Sequence, residues 1–207
     1  MKKSILSIVT ILGLTTLSSA QSDIERAHAQ MESIHVSLDE NRFYAGFGVS
    51  YLSMLNATTK EEFSTTGQSV HAGYQYGKHI AIEGRYTVNF SAVSYASGTT
   101  GGLDLADYPT DFTNIGLYAK VLYPMDNISV YGLMGYGEVK LTNIPIDDVD
   151  RAESGFQWGG GISYMIGDSF EVFVDYIFLY SGTGFDFLAL QDEQDASMLT
   201  LGLSYKF

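Results

Sequence analysis

The sequence predicts an all-β fold, an eight-stranded antiparallel up-and-down transmembrane β-barrel. Three observations predict it. Apolar and polar residues alternate with period two along eight successive segments, and the connections between those segments alternate short and long. The chain also carries 15 Tyr, 12 Phe and 22 Gly against 3 Pro, an excess of aromatics and glycine over ordinary soluble enzymes.

The first twenty residues stand apart. Lys2 and Lys3 form a basic start, Ile5 to Leu17 a short apolar run, and Ser18-Ser19-Ala20 a small-residue cleavage site before Gln21. Residues 1–20 are therefore expected to be a signal peptide, since the apolar run falls short of the roughly 20 residues that a membrane-spanning helix needs. Residues 21–41 show neither strand alternation nor an apolar stripe and are expected to be a periplasmic lead-in, a short helix or a disordered segment. Residues 42–207 are expected to be the barrel domain. The absence of cysteine excludes disulfides, thiolate metal sites and a lipid anchor at the cleavage site. A net charge of −13 opposes phosphate neutralisation, so no nucleic-acid partner is expected.

Taken in order, the first strand runs over Phe43 to Ser53, with Phe43, Ala45, Phe47, Val49 and Tyr51 opposite Tyr44, Gly46, Gly48 and Ser50. The second, Ser69 to Tyr76, sets Val70, Ala72, Tyr74 and Tyr76 against Ser69, His71, Gly73 and Gln75. The third, Ile80 to Ser91, divides most cleanly: Ile80, Ile82, Gly84, Tyr86, Val88 and Phe90 share one face, and Ala81, Glu83, Arg85, Thr87 and Asn89 the other. The fourth places Ile115, Leu117, Ala119, Val121 and Tyr123 opposite Asn114, Gly116, Tyr118 and Lys120. Ile128 to Lys140, Phe156 to Ile166, Phe170 to Ser181 and Met198 to Phe207 complete the eight. Gly77-Lys78, Pro124 to Asn127 and Gly167-Asp168 read as tight turns. The other connections, at about residues 56–66, 92–111, 142–153 and 182–195, are long. Short turns on one rim, with both termini, and long loops on the other suit a membrane barrel.

A soluble ligand-binding barrel shows the same period with the apolar face turned inward. Three features favour the inverted arrangement. Aromatics lie on the apolar face near strand ends (Phe43, Tyr51, Tyr76, Tyr86, Phe90, Tyr123, Phe156, Tyr164, Phe170, Tyr180, Tyr205 and Phe207), as an interfacial girdle requires. The opposite face carries Gly46, Gly48, Gly73, Gly116, Gly132, Gly159, Gly161 and Gly202, which leave room in a narrow ring. Its charges balance by sign, Glu83, Glu138, Glu171 and Asp175 against Arg85, Lys120, Lys140 and Lys206, and are expected to form a lumen network, since an unpaired buried charge is costly.

From Phe43 to Phe207 the chain resembles the small eight-stranded outer-membrane barrels of Gram-negative bacteria, of the OmpA-like transmembrane-domain kind. The most specific element is the C-terminal alternation of Leu199, Leu201, Leu203, Tyr205 and Phe207. In that family a terminal Phe, with an aromatic two residues before it, is read by the barrel-assembly machinery. The resemblance implies an outer-membrane location and contact with outer-membrane lipid and lipopolysaccharide. It implies a monomer with a structural or surface-interaction role carried by the loops. The periplasmic peptidoglycan-binding domain of full-length OmpA-like proteins is expected to be absent, since no residue follows Phe207.

Catalytic and cofactor motifs are not expected. GFG at Gly46 and GGG at Gly159 to Gly161 lack the strand-to-helix setting of nucleotide loops. His71 and Ser69, two apart on one strand face, stand too far apart for a nucleophile and its base; His28, His35 and His79 have no evident partner. Asp147, Asp148, Asp150 and Glu153, and Asp192, Glu193 and Asp195, read as a solvated acidic rim rather than a calcium loop, because the spacing does not match. Apolar loop tips occur at Leu103, Leu105, Phe185, Phe187, Leu188 and Leu190. The competing functions are a narrow ion or small-solute channel, an outer-membrane lipid-modifying enzyme and a soluble lipocalin-like binder.

Overall fold

Eight long strands close on themselves in a computed structural model that describes residues 41–56, 62–96, 110–142, 150–183 and 194–207. They are β1 (Arg42–Asn56), β2 (Glu62–Tyr76), β3 (Ile80–Asn89), β5 (Asp111–Met125), β6 (Ile128–Thr142), β7 (Arg151–Ile166), β8 (Phe170–Gly182) and β9 (Gln194–Lys206), with a three-residue strand β4 (Ser94–Ala96) beside the start of β2. Every pairing is antiparallel, and β1 meets both β2 and β9, so the ring has no free long edge. Closure is what a bilayer demands of a sheet, because an unpaired backbone group in hydrocarbon costs several kcal/mol. The expected signal peptide, nearly all of the lead-in and the tips of the long loops lie outside the described residues.

The seam between first and last strands runs from Tyr44 opposite Lys206 to Asn56 opposite Gln194. It is extended by Phe207, whose N–H donates to the Phe43 carbonyl at 2.9 Å. The short turns take left-handed backbone at Gly77 (φ 63°), Gly167 (φ 68°) and Asp126 (φ 54°), a conformation that glycine adopts freely and aspartate tolerates.

On the long-loop side β2, β7 and β9 begin seven, five and four residues earlier than their alternation suggests. Those stretches, such as Ser64-Thr65-Thr66 and Ala152-Glu153-Ser154, carry little apolar signal because neither face there has to meet hydrocarbon.

The outward face is apolar from strand to strand. Phe47, Val70, Ile82, Leu117, Val121, Ile162 and Leu201 are each more than half exposed, whereas their neighbours in sequence turn inward. Two assignments need correction. A bulge on β8 between Phe178 and Tyr180 places Tyr180 opposite Ala196, and Tyr180 packs against the interior instead of joining the outer girdle. Gly132 on β6 pairs with Val121 and Gly160, both outward positions, so it is not a lumen glycine.

Candidate functional site

The polar interior is organised around β3. Glu83 and Arg85 stand two residues apart on its inward face, and both are buried. The Arg85 guanidinium donates to Asp175 on β8 through Nη1 to Oδ1 and Nη2 to Oδ2, each at 2.9 Å, and to Glu83 Oε1 from Nη2 at 2.7 Å and Nε at 3.2 Å. Lys120 on β5 reaches Glu83 Oε2 at 3.5 Å. Two tyrosines complete the cluster, Tyr44 donating to Glu83 at 2.9 Å and Tyr131 to Asp175 at 3.1 Å.

Both cations also lie over rings, Lys120 Nζ 4.0 Å from the Tyr131 centroid and Arg85 5.8 Å from that of Phe173. Two carboxylates and two cations leave the cluster formally neutral, and the bidentate geometry with added donors is the condition under which buried charges are tolerated.

Nearer the short-turn rim, Lys206 pairs with Glu171 at 2.6 Å. The gap lined by Tyr44, Gln75, Lys120, Glu171 and Lys206 leaves no room for a water molecule.

Glu138 and Lys140 do not join this network. Both project from the outer face of β6 near its long-loop end, Glu138 accepting from Ser154 at 3.4 Å and Lys140 pairing with Asp150 at 3.4 Å with both side chains well exposed. The inward residues of β6 are Tyr131, Leu133, Gly135, Gly137, Val139 and Leu141. Bulky apolar residues on both faces blur the alternation of this strand. The rule that charge belongs inside lapses where the strand rises beyond hydrocarbon.

Above the charges lies a layer of neutral hydrogen bonds. Ser50 meets Thr200 at 3.0 Å, Ser69 meets Thr87, Tyr118 donates to Gln157, and Gln157 donates to Asn114 at 2.8 Å. His71 Nε2 bonds Ser204 on β9 at 2.8 Å, across the seam, rather than its sequence neighbour Ser69. Glycine makes room for these side chains: a Cβ at Gly73 would lie 2.4 Å from the Tyr44 ring, and one at Gly46 2.6 Å from the His71 ring.

Toward the long loops the inward face turns apolar. Leu52 and Met54 on β1, Phe112 on β5, Val139 and Leu141 on β6, Ile177 and Leu179 on β8, and Met198 on β9 are all buried in one cluster. Sequence reasoning missed this layer because it assigned apolar residues to the lipid side. The signal was present, since Leu52 and Met54 continue the inward parity of Ser50.

The C-terminal residues Leu199, Leu201, Leu203, Tyr205 and Phe207 all face outward, from 40% exposed at Tyr205 to 71% at Phe207. Tyr205 packs edge-on against both Phe170 and Phe207, with centroids 5.1 and 5.0 Å away.

The sequence profile of the outer membrane protein beta-barrel domain family matches residues 9–207. Among solved structures the chain is similar to Ail, the attachment invasion locus protein of Yersinia pestis, crystallised with the heparin analogue sucrose octasulfate. Identity is 18% over 81% of this chain and 99% of that one, with a TM-score of 0.53. Neisserial surface protein A shares 15% identity over 80% and 97% of the two chains (TM-score 0.55), and OprG of Pseudomonas aeruginosa 14% over 81% and 96% (TM-score 0.52). At such identities the likeness is one of fold. No curated protein matches the chain in sequence.

Proposed function

The chain belongs to the outer membrane protein beta-barrel domain family and is an outer-membrane β-barrel protein; on that premise we propose that it is a non-catalytic surface protein whose barrel is a plugged anchor and whose long loops carry its interactions. The observation that carries this reading is the stacking of three packed layers inside one narrow ring: the Glu83–Arg85–Asp175–Lys120 cluster, the hydroxyl and amide bonds above it, and the Leu52–Met198 apolar cluster beyond. An eight-stranded ring is just wide enough to be filled by its own side chains, and a route for ions would have to break a neutral, mutually bonded set. Function on such a scaffold moves to its loops.

Charge narrows the kind of partner. Ail was crystallised with a polysulfated ligand, whereas the described long-loop rim here carries Glu62, Asp111, Asp150, Glu153 and Asp195 against few cations, on a chain of net charge −13. A cationic or neutral partner fits that rim better than a sulfated glycan.

The test is conductance of the purified, folded barrel in planar bilayers. The proposal expects no reproducible steps above the bare membrane. Steady conductance that disappears on substituting Lys120 would replace the plugged anchor with a narrow channel.

A further inference from the structure

The seam between β7 and β8 parts before the strands end. Paired residues run from Ile166 and Phe170 up to Trp158 and Phe178 and stop there, although β7 continues to Arg151, paired with β6 along that whole stretch. The cause lies in β8. Its bulge between Phe178 and Tyr180 inserts a residue at the next rung, which bends the strand and breaks the ladder on that side.

The upper part of β7 is therefore an edge without a partner strand among the described residues. Met165 N–H donates to the Asn127 carbonyl on the β6 side, and β7 pairs with β6 without a register shift. Odd-numbered residues of β7 thus direct their backbone groups to β6 and even-numbered ones to β8. Ala152, Ser154 and Phe156 aim their N–H and C=O groups into the gap, and all three residues are exposed. Gly155 between them faces inward, and a Cβ built there meets nothing within 4 Å.

Where β3 ends early, the chain covers the edges it leaves. Strand β4 pairs with Glu62 to Ser64 on β2, the Ser91 hydroxyl accepts from Thr66 N–H, and the Asn89 side chain accepts from Phe112 N–H on β5. Proteins cover such edges because a row of unpaired groups is a template for another chain. The β7 edge carries no such cover among the described residues. It lies at the polar rim, flanked by outward Glu138 and by the exposed Lys140–Asp150 pair; within hydrocarbon each bare group would cost several kcal/mol.

We infer that this edge binds an extended, cationic segment of a partner polypeptide by strand addition. Backbone groups repeating every 6 to 7 Å or so along an edge are matched by another β-strand, whose main chain supplies attachment while its side chains select. Outward side chains of an antiparallel segment stand beside Phe156, Ser154 and Ala152 in turn. The first is apolar. The second is a Lys or Arg, because Glu138, cross-strand neighbour of Ser154, has no cationic partner among the described residues. The inference deepens the surface-interaction reading and rests on it, but exchange at the edge is independent of conductance, so the two fail separately.

The test is residue-resolved amide hydrogen exchange, read by NMR on the folded full-length protein in lipid nanodiscs. Alone, Ala152, Ser154 and Phe156 should exchange freely while Glu153 and Gly155, bonded to β6, stay protected. The probe is a capped heptapeptide, Thr-Val-Thr-Lys-Thr-Thr-Thr. At ten times its dissociation constant it should slow the three even-numbered amides about tenfold. Glutamate in place of its lysine should weaken binding about two- to fivefold, the range of a surface ion pair.

The same peptide N-methylated at its valine, lysine and sixth residue, the edge-facing positions, should give no protection. Ser154→Pro removes an edge N–H that β6 does not use and should abolish peptide binding, whereas Ser154→Ala should keep it. Should the proline variant fold poorly, the N-methylated peptide makes the same comparison on the unaltered protein. Edge amides already protected without peptide, covered by this chain or by a second copy, overturn the inference. So does the absence of slowing with peptide, equal protection by the N-methylated form, or equal binding of the glutamate form.

Discussion

Arg85 and Asp175, ninety residues apart in sequence, are joined across the lumen by two parallel hydrogen bonds of 2.9 Å each. The pair ties β3 to β8, strands that are not neighbours in the sheet, and thereby braces the ring from within. Removing Arg85 leaves the buried Asp175 carboxylate with the Tyr131 hydroxyl as its one remaining side-chain hydrogen-bond donor among the described residues. Arg85→Ala is expected to destabilise the barrel by about 3 to 5 kcal/mol, whereas Arg85→Met with Asp175→Leu, which removes both charges and leaves Glu83 with Lys120, should recover most of that loss. Urea unfolding in lipid vesicles, read by the heat-modifiable gel shift, measures both.

The reversed parity of β6 gives a second expectation. Val139 is fully buried and Glu138 faces outward at the rim. Glu138→Leu should change stability by less than about 0.5 kcal/mol. Val139→Asp puts an unpaired carboxylate into the apolar cluster and should cost several kcal/mol. The opposite order in the same unfolding assay would return Glu138 to the lumen.

Leu201 is 61% exposed on the outer face, flanked by the buried Thr200 and the inward Gly202. Leu201→Arg should cost about 2 to 4 kcal/mol if that face meets the bilayer midplane. On a water-facing surface the same change would be close to neutral, so the vesicle unfolding midpoint separates the two.

Phe207 lies outward beyond β9, and its N–H holds the seam to Phe43. Phe207→Ser gives up about 1.5 to 3 kcal/mol of apolar burial against lipid and removes the terminal aromatic, so the folded fraction in outer membranes should fall. Lys206→Gln breaks the ion pair with Glu171 but leaves that aromatic in place, and should assemble at close to the normal yield.

Legibility in the sequence followed the hydrocarbon. Where a strand crosses the bilayer with small or polar residues inside, as in β3 and β9, alternation alone gives both the strand and its faces. Glu83, Arg85, Lys120 and Asp175 share one cluster, but that Arg85 chooses Asp175 depends on shear around the ring, which no single strand encodes. Alternation fails where both faces are apolar, as in β6, and fades above the membrane, where β2 and β7 run on through polar residues. The β8 bulge at Tyr180 and the strand β4 leave no period of their own.

Trp158 is the only tryptophan in the chain. It sits outward on β7, half-exposed and stacked on Phe178 with ring centroids 4.5 Å apart, so its fluorescence reports directly on which face meets lipid. In vesicles whose acyl chains carry bromine, the folded protein should lose most of its emission while staying insensitive to iodide in the buffer. Emission quenched by iodide and untouched by brominated lipid would contradict the inverted barrel, and with it the plugged anchor.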